Sequence, residues 1–431
     1  MAQHLDAPAA AAPGPWEYLA RQADPRSLLA TKGRRRMAVI IATNLLFAPF
    51  NTGLDVVLPL WVTKDLGLTA GQWAYLRSLR FTGSLAGALV LGALSDRLGA
   101  KRIGALSMLA AAVGVALLGL GFTGWLWVIM PALGALLSTA FVNMNTLTQW
   151  VSARRQGVAN SIYRSIGAGA AVVAPIAVTT LAACLGGYPP VLALLAMVLC
   201  LSAAALLFYP IAAEPPLGAW RDELAALWRN YVKALRQREL MAFVHVYQIW
   251  SAVVAVNGAF MAIRLTRELG RSDAWFGLVA SVGGTVAFAA TAATGFFLDR
   301  ISLRRFCGVS AILVSAATLA AGLTDSAWLS AVVLLLAAAL ATCSIAPVSM
   351  WISRAAGEAG QTAAFSVQKV IAALYVAIGM AVWGLLERWF SVRGLFLLAG
   401  LLGLPFALAI LRLTEPGTAA AAGANTQGES R

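Results

Sequence analysis

Charged residues are scarce in this chain: they make up 12% of its 431 residues, against 60% hydrophobic ones. With a mean hydropathy of +0.79, the chain has too little polar surface to close a soluble globule, so lipid must solvate it. Acidic residues are scarcer still, 18 against 32 lysines and arginines, for a formal charge of +14. In a soluble domain that excess would point to nucleic acid. Here the basic residues fall on alternate loops between apolar runs, which excludes nucleic acid and reads as membrane topology. The four cysteines, Cys184, Cys200, Cys307 and Cys343, stand singly within or beside apolar runs. No C-x-x-C pair or Cys/His cluster offers a disulfide framework or a metal site. There is no G-x-x-x-x-G-K-S/T loop and no soluble segment large enough to bind a nucleotide, so no cofactor is expected. A nucleophile–base constellation is missing as well, which argues against an enzyme. The first 30 residues carry Asp6, Glu17 and Asp24 and lack a compact apolar core, so a cleavable signal is not expected.

What the chain has in abundance is long apolar runs. A helix needs about 20 apolar residues to cross the hydrocarbon core, so the stretch from Met37 to Leu413 accommodates about twelve crossings. In lipid the backbone must satisfy itself, which predicts an all-α integral membrane protein. Lys32 and Arg34 to Arg36 precede the first span, and Arg97, Lys101 and Arg102 follow the second. Arg154 and Arg155 follow the fourth span, and Arg300, Arg304 and Arg305 the eighth. By the positive-inside rule these loops, and both termini, are expected in the cytoplasm of a cell with a plasma (inner) membrane anchor. Residues 1–36 read as a cytoplasmic tail, 37–211 as a first six-helix bundle, and 240–413 as a second. Between them, 212–239 reads as a linker, with Glu214, Pro215 and Pro216 followed by an amphipathic helix on the inner membrane surface. The Ala- and Gly-rich residues 414–431 are expected to be disordered.

A loop occurs twice. Gly92-Ala-Leu-Ser-Asp96-Arg97-Leu-Gly99-Ala-Lys101-Arg102 returns 203 residues later as Gly295-Phe-Phe-Leu-Asp299-Arg300-Ile-Ser302-Leu-Arg304-Arg305. Thr63-Lys64-Asp65-Leu66-Gly67 returns at the same offset of 203 as Thr266-Arg267-Glu268-Leu269-Gly270. Near an offset of 205, Ser161-Ile-Tyr-Arg164 matches Ser366-Val-Gln-Lys369. The halves therefore read as parallel copies, related by an axis along the membrane normal.

Two six-span halves with G-x-x-x-D-R-x-G-x-K-R between spans two and three resemble the major facilitator superfamily. The resemblance implies an alternating-access secondary transporter in which spans 1, 4, 7 and 10 line the path. Spans 2, 5, 8 and 11 would then meet across the halves. It also implies that Gly92, Asp96, Arg97, Gly99, Lys101 and Arg102, with Gly295, Asp299, Arg300, Arg304 and Arg305, form gating loops. Asp96 would reach the N-terminal end of span 11 near Gly360-Gln361-Thr362, where unsatisfied N–H groups favour a carboxylate. Ser302 in place of glycine suggests a looser second loop. Span 5 carries Gly167, Gly169 and Pro175 but Ala174-Pro175 in place of an antiporter's Gly-Pro, so export is only weakly favoured.

Ionisable groups inside spans are costly and so are functional candidates. Asp55 in span 1 can reach Arg80 or Arg77 in span 2. A permanent pair would be structural; a pair that opens would let Asp55 carry a proton. Arg164 and Lys369 recur at one depth and could cradle an anion or snorkel toward the inner surface. Asn51, Asn143, Gln248, Trp250 and Asn257 complete the candidate substrate-binding set, although polar residues are often glue between membrane helices. The leading expectation is proton-coupled export of a small organic molecule. Uptake of an organic anion is the alternative on the same scaffold. A transporter-like receptor or assembly protein is the third.

Overall fold

The computed structural model describes residues 31–87, 95, 98–149, 156–210, 229, 232–233, 235–297, 302–356 and 361–414. Twelve helical spans follow in chain order among them. The first six are α1 (Thr31–Lys64), α2 (Ala70–Ala86), α3 (Ala100–Gly119), α4 (Leu126–Gln149), α5 (Gln156–Leu185) and α6 (Tyr188–Leu207). The second six begin with α7 (Arg238–Val254, resuming as Val256–Ile263), α8 (Asp273–Phe297) and α9 (Leu303–Leu323). They end with α10 (Ala327–Cys343, resuming as Ile345–Ala356), α11 (Gln361–Leu386) and α12 (Val392–Arg412). Eleven segments are long and apolar enough to cross a bilayer, and α2, with 17 residues, is the shorter twelfth. The N-terminal tail to residue 30, most of the linker and the chain from residue 415 lie outside the described residues, as do Gly92, Asp96, Arg97, Asp299 and Arg300. The end of the bundle at which α1 starts is called proximal below, and the end at which it finishes distal.

The sequence repeat becomes a structural one at the distal turns. Leu66 N–H bonds to Trp61 C=O and Leu68 N–H to Val62 C=O; 203 residues on, Leu269 bonds to Arg264 and Arg271 to Leu265 in the same way. This wrapped helix end needs a left-handed residue, and Gly67 (φ 64°) and Gly270 (φ 66°) supply it. The next helix is capped alike in both copies. Thr69 Oγ1 accepts from Gln72 N–H at 3.1 Å, and Ser272 Oγ from Trp275 N–H at 3.2 Å. The proximal loops solve their turns differently. Gly99 precedes α3 at φ 90°, whereas Ser302 precedes α9 at φ −59° and accepts from Arg305 N–H. At that junction serine replaces a backbone device with a side-chain cap.

Within the halves α3 packs on α6, α2 on α4, α9 on α12 and α8 on α10; across the halves α2 meets α11 and α5 meets α8. Both crossings depend on bare backbone. A Cβ on Gly71 would lie 2.6 Å from Gly384 O, and one on Gly384 would lie 2.8 Å from Gly71 O. In α5, Pro175 has no N–H, so Ala171 C=O loses its helical donor. Gly284 of α8 sits against that oxygen, where a Cβ would come within 2.3 Å.

Two helices are discontinuous, α7 at Ala255 and α10 at Ser344. The second break follows from Pro347, which cannot donate to Cys343 C=O and crowds it. The break in α7 contains no proline. Its Ala252 C=O accepts instead from Trp383 Nε1 of α11 at 3.1 Å, and the helix closes in a π-helical turn over Arg264–Glu268. Apolar side chains such as Val113, Val173 and Val332 face outward, and exposed Trp125, Trp328 and Trp389 ring the distal end. That is the surface a bilayer requires, with indoles at its interface.

Candidate functional site

A cavity of about 280 Å³ lies inside the first half, against the second. From α1 it receives Phe47, Asn51 and Asp55; from α2, Arg77, Arg80, Phe81 and Ser84; and from α4, Gly134, Leu137, Ser138 and Phe141. Local structure explains the placement. Asp55 and Asn51 are one turn apart, so they share a face. Pro59 lies four residues beyond Asp55 and cannot donate to its carbonyl, so α1 is weakened at the site. Arg77 and Arg80 are three apart on α2 and also share a face. Ser84 Oγ donates to Arg80 C=O (3.0 Å) and Gly134 C=O (3.1 Å), tying α2 to α4 beneath the arginine.

Arg80 donates to Asp55 Oδ1 at 2.5 Å and reaches Asn51 Oδ1 at 3.5 Å. The arginine side chain is sunk at 15% exposure, while the carboxylate is 48% exposed. At that exposure an ion pair is worth about 1 kcal/mol or less, so the pair is a weak tie between α1 and α2. Arg77 donates across the halves to Gly258 C=O, in the second piece of α7. The ammonium of Lys369 of α11 lies 5.6 Å from the ring centroid of Phe141, on the cavity wall.

The other sequence candidates sit elsewhere. Asn143 is buried and donates to Ser95 Oγ at 2.9 Å. Trp250 Nε1 donates to Ser315 Oγ at 3.1 Å, and Asn257 Nδ2 to Thr318 Oγ1 at 2.7 Å. These bonds hold α7 to α9 in the second half. Gln248 is buried at 3% exposure. The side chain of Arg164 lies outside the described residues. Among the loop residues, Lys101 and Arg102 open α3, Gly295 lies in α8, and Arg304 donates to Leu413 C=O at 3.5 Å.

Sequence reasoning missed the seal at the distal end. Asp273 of α8 is gripped by Lys64 Nζ and by Tyr188 OH, the latter at 2.5 Å. Trp73 Nε1 donates to Ala259 C=O at 2.9 Å, Ser78 Oγ to Ala377 C=O at 2.7 Å and Arg267 to Leu68 C=O at 3.4 Å. These cross-half bonds cluster toward the distal end, and Lys369 against Phe141 joins the halves nearer the proximal end. The repeated Thr-Lys-Asp-Leu-Gly was the legible signal for this seal; Tyr188 and Asp273 had none. Beside it, burial pushes the Asp65 carboxyl up from its ordinary range and the Asp273 charge adds to this, while the Tyr188 backbone N–H and Lys64 oppose it.

No curated protein matches the sequence, but solved structures match the fold. The nucleoside transporter NupG superposes with a TM-score of 0.70 at 16% identity, over 88% of this chain and 100% of that one. A D-xylose–proton symporter does so at 0.69 and 14%, over 90% and 99%. A bacterial homolog of the human lysosomal transporter Spinster, inward-facing and unoccupied, does so at 0.69 and 15%, over 89% and 98%. At these identities the likeness is one of fold. Residues 40–265, more than half the chain, match the sequence profile of the Major Facilitator Superfamily. The duplicated bundle with its α2–α11 and α5–α8 crossings is thus the architecture its sequence encodes, and the chain belongs to the Major Facilitator Superfamily of membrane transporters.

Proposed function

We propose that the protein is a proton-coupled secondary transporter that moves a small organic molecule by alternating access, with Asp55 carrying the proton. The observation that carries this reading is the Asp55–Arg80 pair, half open to the cavity between helices that belong to different contacts of the bundle. Opening the pair leaves Asp55 without its counter-charge, and a proton taken from the water of the cavity would neutralise it. By the positive-inside rule the basic loops favour a cytoplasmic proximal end. The distal seal would then close the cavity toward the outside. The xylose–proton symporter that shares the fold is in keeping with proton coupling.

Export is favoured only weakly, by Gly167, Gly169 and Pro175 in α5, since Ala174 stands where an antiporter has glycine. Uptake of an organic anion draws support from two arginines beside one carboxylate in the cavity. The test is reconstitution into liposomes with a trapped pH-sensitive dye and a panel of monocarboxylates, amines and neutral compounds. At least one compound is expected to move protons through the wild type, and Asp55→Asn to abolish that movement while inserting normally. Proton movement that persists in Asp55→Asn would refute the role of Asp55. A panel that moves no protons in the wild type would favour a receptor or assembly role. Asp96→Asn is expected to insert normally and lose transport; normal transport would refute the gating role of that loop.

A further inference from the structure

We propose that the cavity takes a small organic monoanion with an aromatic or apolar body, and that the anion travels together with one proton in the same direction. The proposal rests on the proton-coupled reading above and names its substrate class.

The charge count is the first argument. Arg77 and Arg80 face the cavity, and Asp55 is the one carboxylate among its lining residues. Arg77 donates to the Gly258 carbonyl, which satisfies its N–H but not its charge. The α4 wall contributes neutral groups, Ser138 and Phe141, and the Lys369 ammonium of α11 against Phe141 is a further positive charge. Among the described residues, positive charge therefore outweighs the single lining carboxylate, inside the span region where ionisable groups are costly. An organic cation would add to the excess; a monoanion offsets it.

The second argument concerns direction. Asp55 and a substrate carboxylate compete for the same Arg80 guanidinium. When a proton from the adjoining water joins an Asp55 oxygen, the Arg80–Asp55 bond is released, and the freed guanidinium can take the substrate carboxylate through two parallel N–H bonds. Each event favours the other, and this cooperation is reciprocal. Proton and anion are thus loaded together, which is symport. A cation would instead bind ionised Asp55 and displace the proton, which is exchange.

Fit and gating follow from the same residues. Phe47, Phe81 and Phe141 supply apolar walls, and 280 Å³ suits a compact molecule. An anion held by Arg77 draws that side chain from Gly258 and removes one link of the distal seal, so loading favours release of the seal.

Benzoate, benzamide and benzylamine separate the possibilities, because they share one ring and differ in charge. In thermal unfolding of the purified full-length protein at pH 5.5 and 8, benzoate is expected to raise Tm by about 3 °C near saturation. The rise should be larger at pH 5.5, where benzoate is still ionised, and benzamide and benzylamine should give none. Arg77→Gln is expected to lose the benzoate shift, and Asp55→Asn to keep it but lose its pH dependence. Stabilisation by benzylamine that Asp55→Asn removes would overturn the anion proposal and leave proton coupling through Asp55 standing. A benzoate shift equal at both pH values would overturn the co-loading step. No shift with benzoate or with acetate, pyruvate and phenylacetate would overturn the substrate class, whatever the liposome assay shows for Asp55.

Discussion

Gly67 and Gly270, 203 residues apart, both hold the left-handed conformation that ends a helix, at φ 64° and 66°. Nothing lies within 4 Å of a Cβ built on either, so substitution there reports backbone strain alone. Gly67→Ala and Gly270→Ala are each expected to cost about 1 kcal/mol, with Gly67→Asn milder, as read by thermal unfolding in detergent. Asp65, two residues before Gly67, makes a pH prediction. Its carboxyl is raised in the folded protein, chiefly by burial, so the folded state favours the protonated form. Its contribution is complete below the ordinary aspartate pKa and is lost as pH rises through the raised one. Asp65→Asn should therefore be more stable than the wild type at neutral pH, with the gap closing on acidification toward pH 4. A gap that widens in acid would contradict the assigned cause. The repeated glycines were legible as sequence, because two copies of one turn need the same special residue. The surroundings of Asp65 were not, since Tyr188 and Asp273, which act on its carboxyl in opposite senses, are distant in the chain.

The two broken helices show how far an element can be read from its residues. Pro347 announces the interruption of α10. The break of α7 at Ala255 has no such mark, because the segment's composition is that of an ordinary apolar helix. It is sustained by α11, whose Trp383 supplies a donor to Ala252 C=O. Trp383→Phe should leave that buried carbonyl unpaired and cost about 1–3 kcal/mol. Trp389→Phe, at a residue 67% exposed, should cost little in the same thermal unfolding measurement. Equal effects would mean that the Trp383 bond does not support the break.

For the whole molecule the decisive feature is where the halves touch. Removing one partner of the Lys64–Asp273 clamp should raise the population opened at the distal end. Ala74 is buried at the α2–α11 crossing beside Gly384, so Ala74→Cys is a reporter there. The exposed Cys184 and Cys200 would be changed to serine first. Lys64→Gln is expected to speed Ala74→Cys alkylation about fivefold, the equivalent of roughly 1 kcal/mol. Combining it with Asp273→Asn should add less than the sum of the two, as partners in one contact do. Additive effects would show that the two residues act separately.

The sequence by itself determined that the chain is an all-α membrane protein built as two parallel copies. It could do so because both properties are local or repetitive: hydropathy is summed along a span, and a duplication compares the chain with itself. It also put Asp55, Arg77 and Arg80 within reach of one another, because consecutive antiparallel helices constrain their mutual depth. What only the tertiary structure decided was partner choice. Arg80 takes Asp55 while Arg77 turns to a carbonyl in the other half, and Asn143, Trp250 and Asn257 bond to nearby helices away from the cavity. A polar side chain in lipid must find a partner, and which one it finds depends on helix rotation and crossing. Those are set by packing at glycines such as Gly71, Gly284 and Gly384, where backbones from distant parts of the chain come into contact.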